Sequence, residues 1–109
     1  MNLKEIIEKC KGLNVLQERT ISDEYVELVF SNKDMGNWES VLNSFLGPAV
    51  KPAGVKPTEE DSKLADNYGG IFNNQVLFKK ELDDSIVIAM FWPWQDGASV
   101  TLKMAYLKK

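Results

Sequence analysis

A chain of 109 residues with 44% hydrophobic and 27% charged side chains has the composition of an ordinary globular domain. It contains no histidine and one cysteine. Those counts exclude Ser-His-Asp and Cys-His pairs, an imidazole base or pH switch, a CxxC redox pair, an intrachain disulfide and a thiolate zinc cage. Thirteen basic against sixteen acidic side chains give a net charge of −3, with a single arginine, Arg19. The phosphate-neutralising surface of a nucleic-acid protein is therefore not expected.

Residues 1–109 make one domain's worth of chain. The opening segment, MNLKEIIEKCKGL, is charged from its fourth residue and does not read as a signal peptide. The longest apolar run, Ile86 to Pro93, falls well short of the roughly 20 residues that cross a bilayer, so no membrane partner is expected. With a lone cysteine, these features point to a soluble protein in a reducing, cytoplasmic setting.

Residues 2–11 predict a helix, because Leu3, Ile6, Ile7 and Cys10 fall on one face of a 3.6-residue period. Asn2 and Glu5 suit a capping box, and Gly12 suits the stop. Cys10 lies on the apolar stripe and reads as a buried structural thiol, since a reactive one needs exposure and a lowered pKa. Residues 13–20 and 24–31 predict an antiparallel strand pair turned at Ser22-Asp23, with Val26, Leu28 and Phe30 on one side and Tyr25, Glu27 and Val29 on the other. Residues 35–46 give the strongest helical pattern: Met35, Trp38, Val41, Leu42, Phe45 and Leu46 form a continuous stripe. Asp34 or Asn37 is suited to cap this helix, and Gly47-Pro48 to end it.

Residues 47–57, GPAVKPAGVKP, predict a loop or extended crossover, with a lid over the sheet or an edge offered to a partner as the other possibilities. Residues 58–68 predict a short polar helix capped by Thr58, with Glu59, Glu60 and Asp61 at the positive end of its dipole. Three strands should follow as a meander. The first lies within 71–82; the second, 86–92, is apolar at every position and so buried on both faces; the third spans 99–107. The order α-β-β-α-(α)-β-β-β predicts an α+β fold: an antiparallel sheet of about five strands with two or three helices mainly on one face.

The segment Trp92-Pro93-Trp94 is the most distinctive in the chain. Alternate strand positions share a face, so both indoles can project together where proline ends the strand. With Gln95 and Asp96 beside them they form the candidate binding surface, because Trp is enriched at interface hot spots. The alternative is that one or both rings cap the core beneath the second helix. The remaining polar groups have local roles: Asp83-Asp84 and Asp96-Gly97 in turns, Asn73-Asn74-Gln75 in a turn or bulge. No EF-hand spacing, Gly-x-Gly or phosphate-loop motif occurs. No catalytic residue, metal site or cofactor is predicted, and a weak surface cation site near Asp83, Asp84 or Asp96 is the furthest such chemistry extends. The reading that remains is a non-catalytic protein-interaction or accessory module with another protein as partner. The alternatives are a small-molecule-binding domain with a pocket between sheet and helices, lined by Tyr68, Tyr106 and Gln95, and an enzyme built on carboxylate, Lys or Tyr groups.

Overall fold

The computed structural model describes residues 3–108. Helix α1 covers Leu3–Lys9, strands β1 and β2 cover Gln17–Ile21 and Tyr25–Ser31, and helix α2 covers Met35–Leu46. Helix α3 (Glu59–Ala65) runs on through a 3₁₀ turn, Asp66–Tyr68, and strands β3 (Val76–Glu81), β4 (Ser85–Pro93) and β5 (Ser99–Lys108) complete the chain. The five strands form one antiparallel sheet in the order β1-β2-β5-β4-β3. This is the α+β architecture expected, and its radius of gyration, 12.8 Å, matches the value of about 13 Å for a compact domain of this length.

The two-residue alternation of the strands separates the core into two layers. Val26, Leu28 and Phe30 of β2, Phe78 of β3, Val87, Ala89 and Phe91 of β4, and Val100, Leu102 and Met104 of β5 face α1 and α2. Trp38 of α2 is fully buried there and stacks on Phe30 with ring centroids 5.0 Å apart. The positions of opposite parity, Leu77, Ile88, Met90 and Ala105, meet Ala65 and Ile71 on the other face. So β4 is buried on both sides, as its unbroken apolar run predicts. Helices α1 and α2 share one face, and α3, no longer than α1, covers part of the other.

Local differences from the sequence reading have identifiable causes. Asn2 lies outside the described residues. Strand β1 begins at Gln17 rather than 13 because the turn after α1 continues, with the amides of Cys10, Lys11 and Leu13 bonded back to Ile7, Glu8 and Cys10. At the start of α2, Asp34 makes no side-chain cap. A 3₁₀ turn, Asn32–Asp34, leads directly into the helix, so the Met35 amide already has the Asn32 carbonyl. Thr58 does cap α3, accepting from the Asp61 amide at 3.1 Å.

Loop 47–57 is neither a lid nor a free crossover. The amides of Val50 and Lys51 bond to the Leu77 carbonyl and the Leu77 amide bonds to Lys51, which closes the outer edge of β3. At the opposite edge, β1 is short, exposed throughout and broken by a bulge between Glu18 and Thr20. Both devices protect sheet edges from unwanted pairing. No described helix is long and apolar enough to cross a membrane.

Candidate functional site

Helix α3 and its 3₁₀ extension cover only part of the sheet's second face, and the rest is covered by side chains: Val29 and Thr101 there are buried. Trp92 pairs with Thr101 across β4 and β5, and Thr101 pairs with Val29 of β2. Trp94 lies one position beyond Pro93, so its side chain leaves the strand toward the same face and its Nε1 donates to Thr101 Oγ1 at 2.8 Å. Phe72 approaches Trp92 edge-on with centroids 6.5 Å apart. Phe72 is 57% exposed and Trp94 39% exposed, while Trp92 is half-buried. Two exposed aromatic surfaces thus lie against the Trp92–Thr101 pair.

Charged groups border these rings. Lys103 places Nζ 3.6 Å from the Trp92 centroid and donates to the Tyr68 carbonyl at 3.0 Å. A cation held over an indole face is attracted by the ring quadrupole. Arg19 reaches to 6.0 Å from the Trp94 centroid and donates to Glu27 Oε2 at 3.1 Å. The Tyr25 hydroxyl donates to Glu27 Oε1 at 2.7 Å, and the Tyr25 ring stacks on Tyr68. The Tyr25 hydrogen bond holds the Glu27 carboxyl below its ordinary range, with Arg19 adding to the effect. Burial, followed by the same Glu27 contact, raises the Tyr25 phenol. A general base works best with its pKa near the working pH, and both groups move away from neutrality. Their arrangement fixes side chains rather than readying a proton transfer.

Trp92 and Trp94 share a face, but it is the face opposite α2, so neither ring caps the core beneath the second helix. Gln95 and Asp96 sit in the exposed β4–β5 turn. Asp96 Oδ1 accepts from the amides of Ala98 at 2.8 Å and Ser99 at 3.3 Å, which occupies it as a turn former. Tyr68, Tyr106 and Gln95 do not line a common pocket. Tyr68 joins the second-face cluster and Tyr106 the first-face cluster, so the sheet lies between them. Among the described residues no three cysteine or carboxylate groups converge as a metal site.

The first face holds a different feature. A cavity of about 290 Å³ opens where α1, the segment after it and the β1–β2 edge meet, lined by Ile7, Cys10, Lys11, Leu13, Val15, Glu18, Leu28 and Trp38. Trp38 is fully buried, yet its Nε1 meets no acceptor among the described residues. Cys10 is buried in the same wall, and burial pushes its thiol up to about 11. The thiol is therefore structural and protonated at neutral pH.

The sequence reading missed the role of Lys51. Its side chain is only 1% exposed, and its Nζ donates to the carbonyls of Pro52 and Asn73, each at 3.1 Å, and to that of Gln75. The ammonium thus ties the proline-rich loop to the Asn73-Asn74-Gln75 turn. Burial lowers its pKa, and the charge of Asp61 opposes that shift. A lysine among prolines gives no local sequence signal of this kind, because its three acceptors are backbone atoms, two of them more than 20 residues away.

Comparison of the chain with protein-family models, with curated proteins and with solved structures yields no match.

Proposed function

We propose that this small α+β domain is a non-catalytic interaction module, acting in a reducing, cytoplasmic setting, that binds another protein through the aromatic side chains lying over the sheet's second face. The observation that carries this reading is the pair of exposed aromatic side chains, Phe72 and Trp94, held against the Trp92–Thr101 pair. Large aromatics already held in place, Phe72 by packing on Trp92 and Trp94 by its bond to Thr101, lose little conformational freedom on binding, which is why such residues concentrate interface energy. Arg19 and Lys103 at the border give the polar rim such an interface needs. Gln95 and Asp96 lie at the end of the surface, where Asp96 shapes the turn and Gln95 is free to reach a partner. The test is capture from a cell extract with the wild-type protein and with a Phe72→Ser/Trp94→Ser variant of matched stability, followed by reconstitution from purified components. A partner whose Kd weakens at least tenfold in the variant supports the reading; equal binding by both proteins refutes it.

The cavity between α1 and the sheet favours a second reading, a small-ligand domain. Its volume of about 290 Å³ falls just below the ~300–1,000 Å³ typical of ligand pockets, and its walls are chiefly apolar.

A further inference from the structure

We infer that Lys51 and Gln75 are positioning residues of the interaction surface: together they hold Phe72 in the pose in which it meets Trp92 and faces a partner. The inference rests on the protein-binding reading and adds how that surface is kept ready. Phe72 belongs to a loop, and loops are the mobile part of most folds. A side chain that must be ordered on binding costs affinity, so a ring held in advance contributes more.

One residue engages both backbone polar groups of Phe72. The Phe72 amide donates to Gln75 Oε1 at 2.9 Å, and the Phe72 carbonyl accepts from the Gln75 amide at 3.1 Å. Gln75 is itself only 6% exposed. Its carbonyl accepts from Lys51 Nζ, and the Asn73 carbonyl accepts from the same atom at 3.1 Å. The Gly54 amide also donates to the Asn73 carbonyl, at 2.7 Å, so the proline-rich loop is part of the clamp. On the other side of Phe72, the Gly70 amide donates to the Ala65 carbonyl at 2.9 Å and Ile71 is buried. The chain is thus fixed before and after Phe72, and only the ring stands out, edge-on to Trp92.

The chemistry of the clamp accounts for a buried lysine here. Three carbonyl oxygens converge on Nζ, those of Pro52, Asn73 and Gln75, and an ammonium carries three hydrogens to meet them. A neutral amide side chain would bring two. Because the acceptors are backbone atoms, the ammonium fixes the path of the chain. Trp94 is held separately, by its bond to Thr101, and serves as the internal reference.

The experiment measures NOE intensities between the Phe72 and Trp92 rings by NMR on the free, full-length protein. Gln75→Leu removes the acceptor for the Phe72 amide, Gln75→Glu keeps one, and Lys51→Met removes the ammonium. Lys80→Met removes a lysine-to-carbonyl bond outside this turn, the one to Phe45 at 3.2 Å. Gln75→Leu and Lys51→Met are expected to weaken the Phe72–Trp92 NOEs at least threefold while the Trp94 indole N–H resonance stays in place. Gln75→Glu and Lys80→Met should keep them, a pattern that general loss of stability would not produce. If Lys51→Met does not fold, the two Gln75 variants decide. Wild-type NOE intensities in Gln75→Leu, or equal losses in Gln75→Leu and Gln75→Glu, would overturn the inference while leaving the protein-binding reading standing. Failure of that reading would show in the capture experiment and would leave these intensities unchanged.

Discussion

Replacing Lys51 by methionine isolates the value of the buried ammonium. Methionine keeps most of the apolar stem and removes the charge and its three hydrogen bonds. The bond to the Gln75 carbonyl is the fully buried one and weighs most. The Pro52 carbonyl also receives the Val55 amide at 3.3 Å, and the Asn73 carbonyl also receives the Gly54 amide at 2.7 Å, so these two lose less. Hydrogen bonds to a charged group contribute about 1.5–3 kcal/mol net, and the expected loss for Lys51→Met is therefore about 2–3 kcal/mol. Apolar replacement of buried charges is neutral or stabilising chiefly when both partners are replaced. Here the carbonyl acceptors and Asp61 remain, so the loss should dominate. At this chain length it corresponds to roughly 8–12 °C in Tm. Lys51→Ala also opens a cavity and should cost about 4 kcal/mol or more. Urea unfolding followed by tryptophan fluorescence measures both variants. Hydrogen exchange should show the Gly54 and Val55 amides opening in Lys51→Met at urea concentrations well below the midpoint. A Lys51→Met protein as stable as wild type, with those amides still protected, would refute the reasoning.

Cys10 supplies an alkaline prediction. Its folded-state pKa of about 11 exceeds the ordinary 9.0, so its contribution is intact below pH 9 and is lost as the pH rises toward 11. Relative to Cys10→Ala, the wild type should lose on the order of 2–3 kcal/mol over that window, and parallel stability curves would contradict this. Glu27 supplies the acid counterpart. Its lowered pKa gives stability that is present above about pH 4.5 and lost as the pH falls through the folded-state value, so Glu27→Gln should flatten the acid limb of the stability profile. Trp38→Ala should cost about 3–5 kcal/mol, because the ring is fully buried. Trp94→Ala should cost only about 1 kcal/mol, mainly through its bond to Thr101, and equal losses in urea melts would place Trp94 in the core. Gly69→Ala should destabilise by about 2–4 kcal/mol, since Gly69 has φ +96° and a Cβ there would lie 2.5 Å from the Trp92 ring. Near-UV circular dichroism should report the displaced indole, and an unchanged Trp92 signal would count against it.

The elements that could be read from sequence are those whose cause is local. The apolar stripe of α2, the cap at Thr58, the alternation of β2 and the doubly buried run of β4 each depend on side chains within a few residues of one another. The features that escaped depend on atoms distant in sequence. Lys51 is an ordinary loop lysine until the Asn73–Gln75 turn is placed against it. Phe72, next to a polar triplet, gives no sign of meeting Trp92, 20 residues further on. The assignment of Tyr68 and Tyr106 to one pocket failed because Tyr106 lies on β5 and packs on the side of α1 and α2, whereas Tyr68 lies in the 3₁₀ turn after α3, which packs on the opposite face. Trp92 and Trp94 were recognisable as a shared face because their spacing is a strand period, but only the β2–β5 and β4–β5 registers show that Val29 and Thr101 lie beneath them.

The two candidate sites have no described wall in common. The cavity is lined by Trp38, Leu28 and the chain around α1, whereas the exposed aromatics sit against Trp92 and Thr101 on the opposite side of the sheet. Substitutions separated in this way, with no shared partner, usually add in their effects on stability. A ligand in the cavity would stabilise the whole domain by mass action, with any partner on the other face bound or free. For that ligand to change the partner's affinity, it would need a differential interaction with two states of the sheet. Residues of opposite parity on the same strands, Leu28 beside Val29 and Leu102 beside Thr101 and Lys103, are the route available for such coupling. The mixed β2–β5 rows therefore make the useful double variants: Leu28→Ala combined with Trp94→Ala should be additive if the faces act independently, and a coupling energy above about 0.5 kcal/mol would show that they do not.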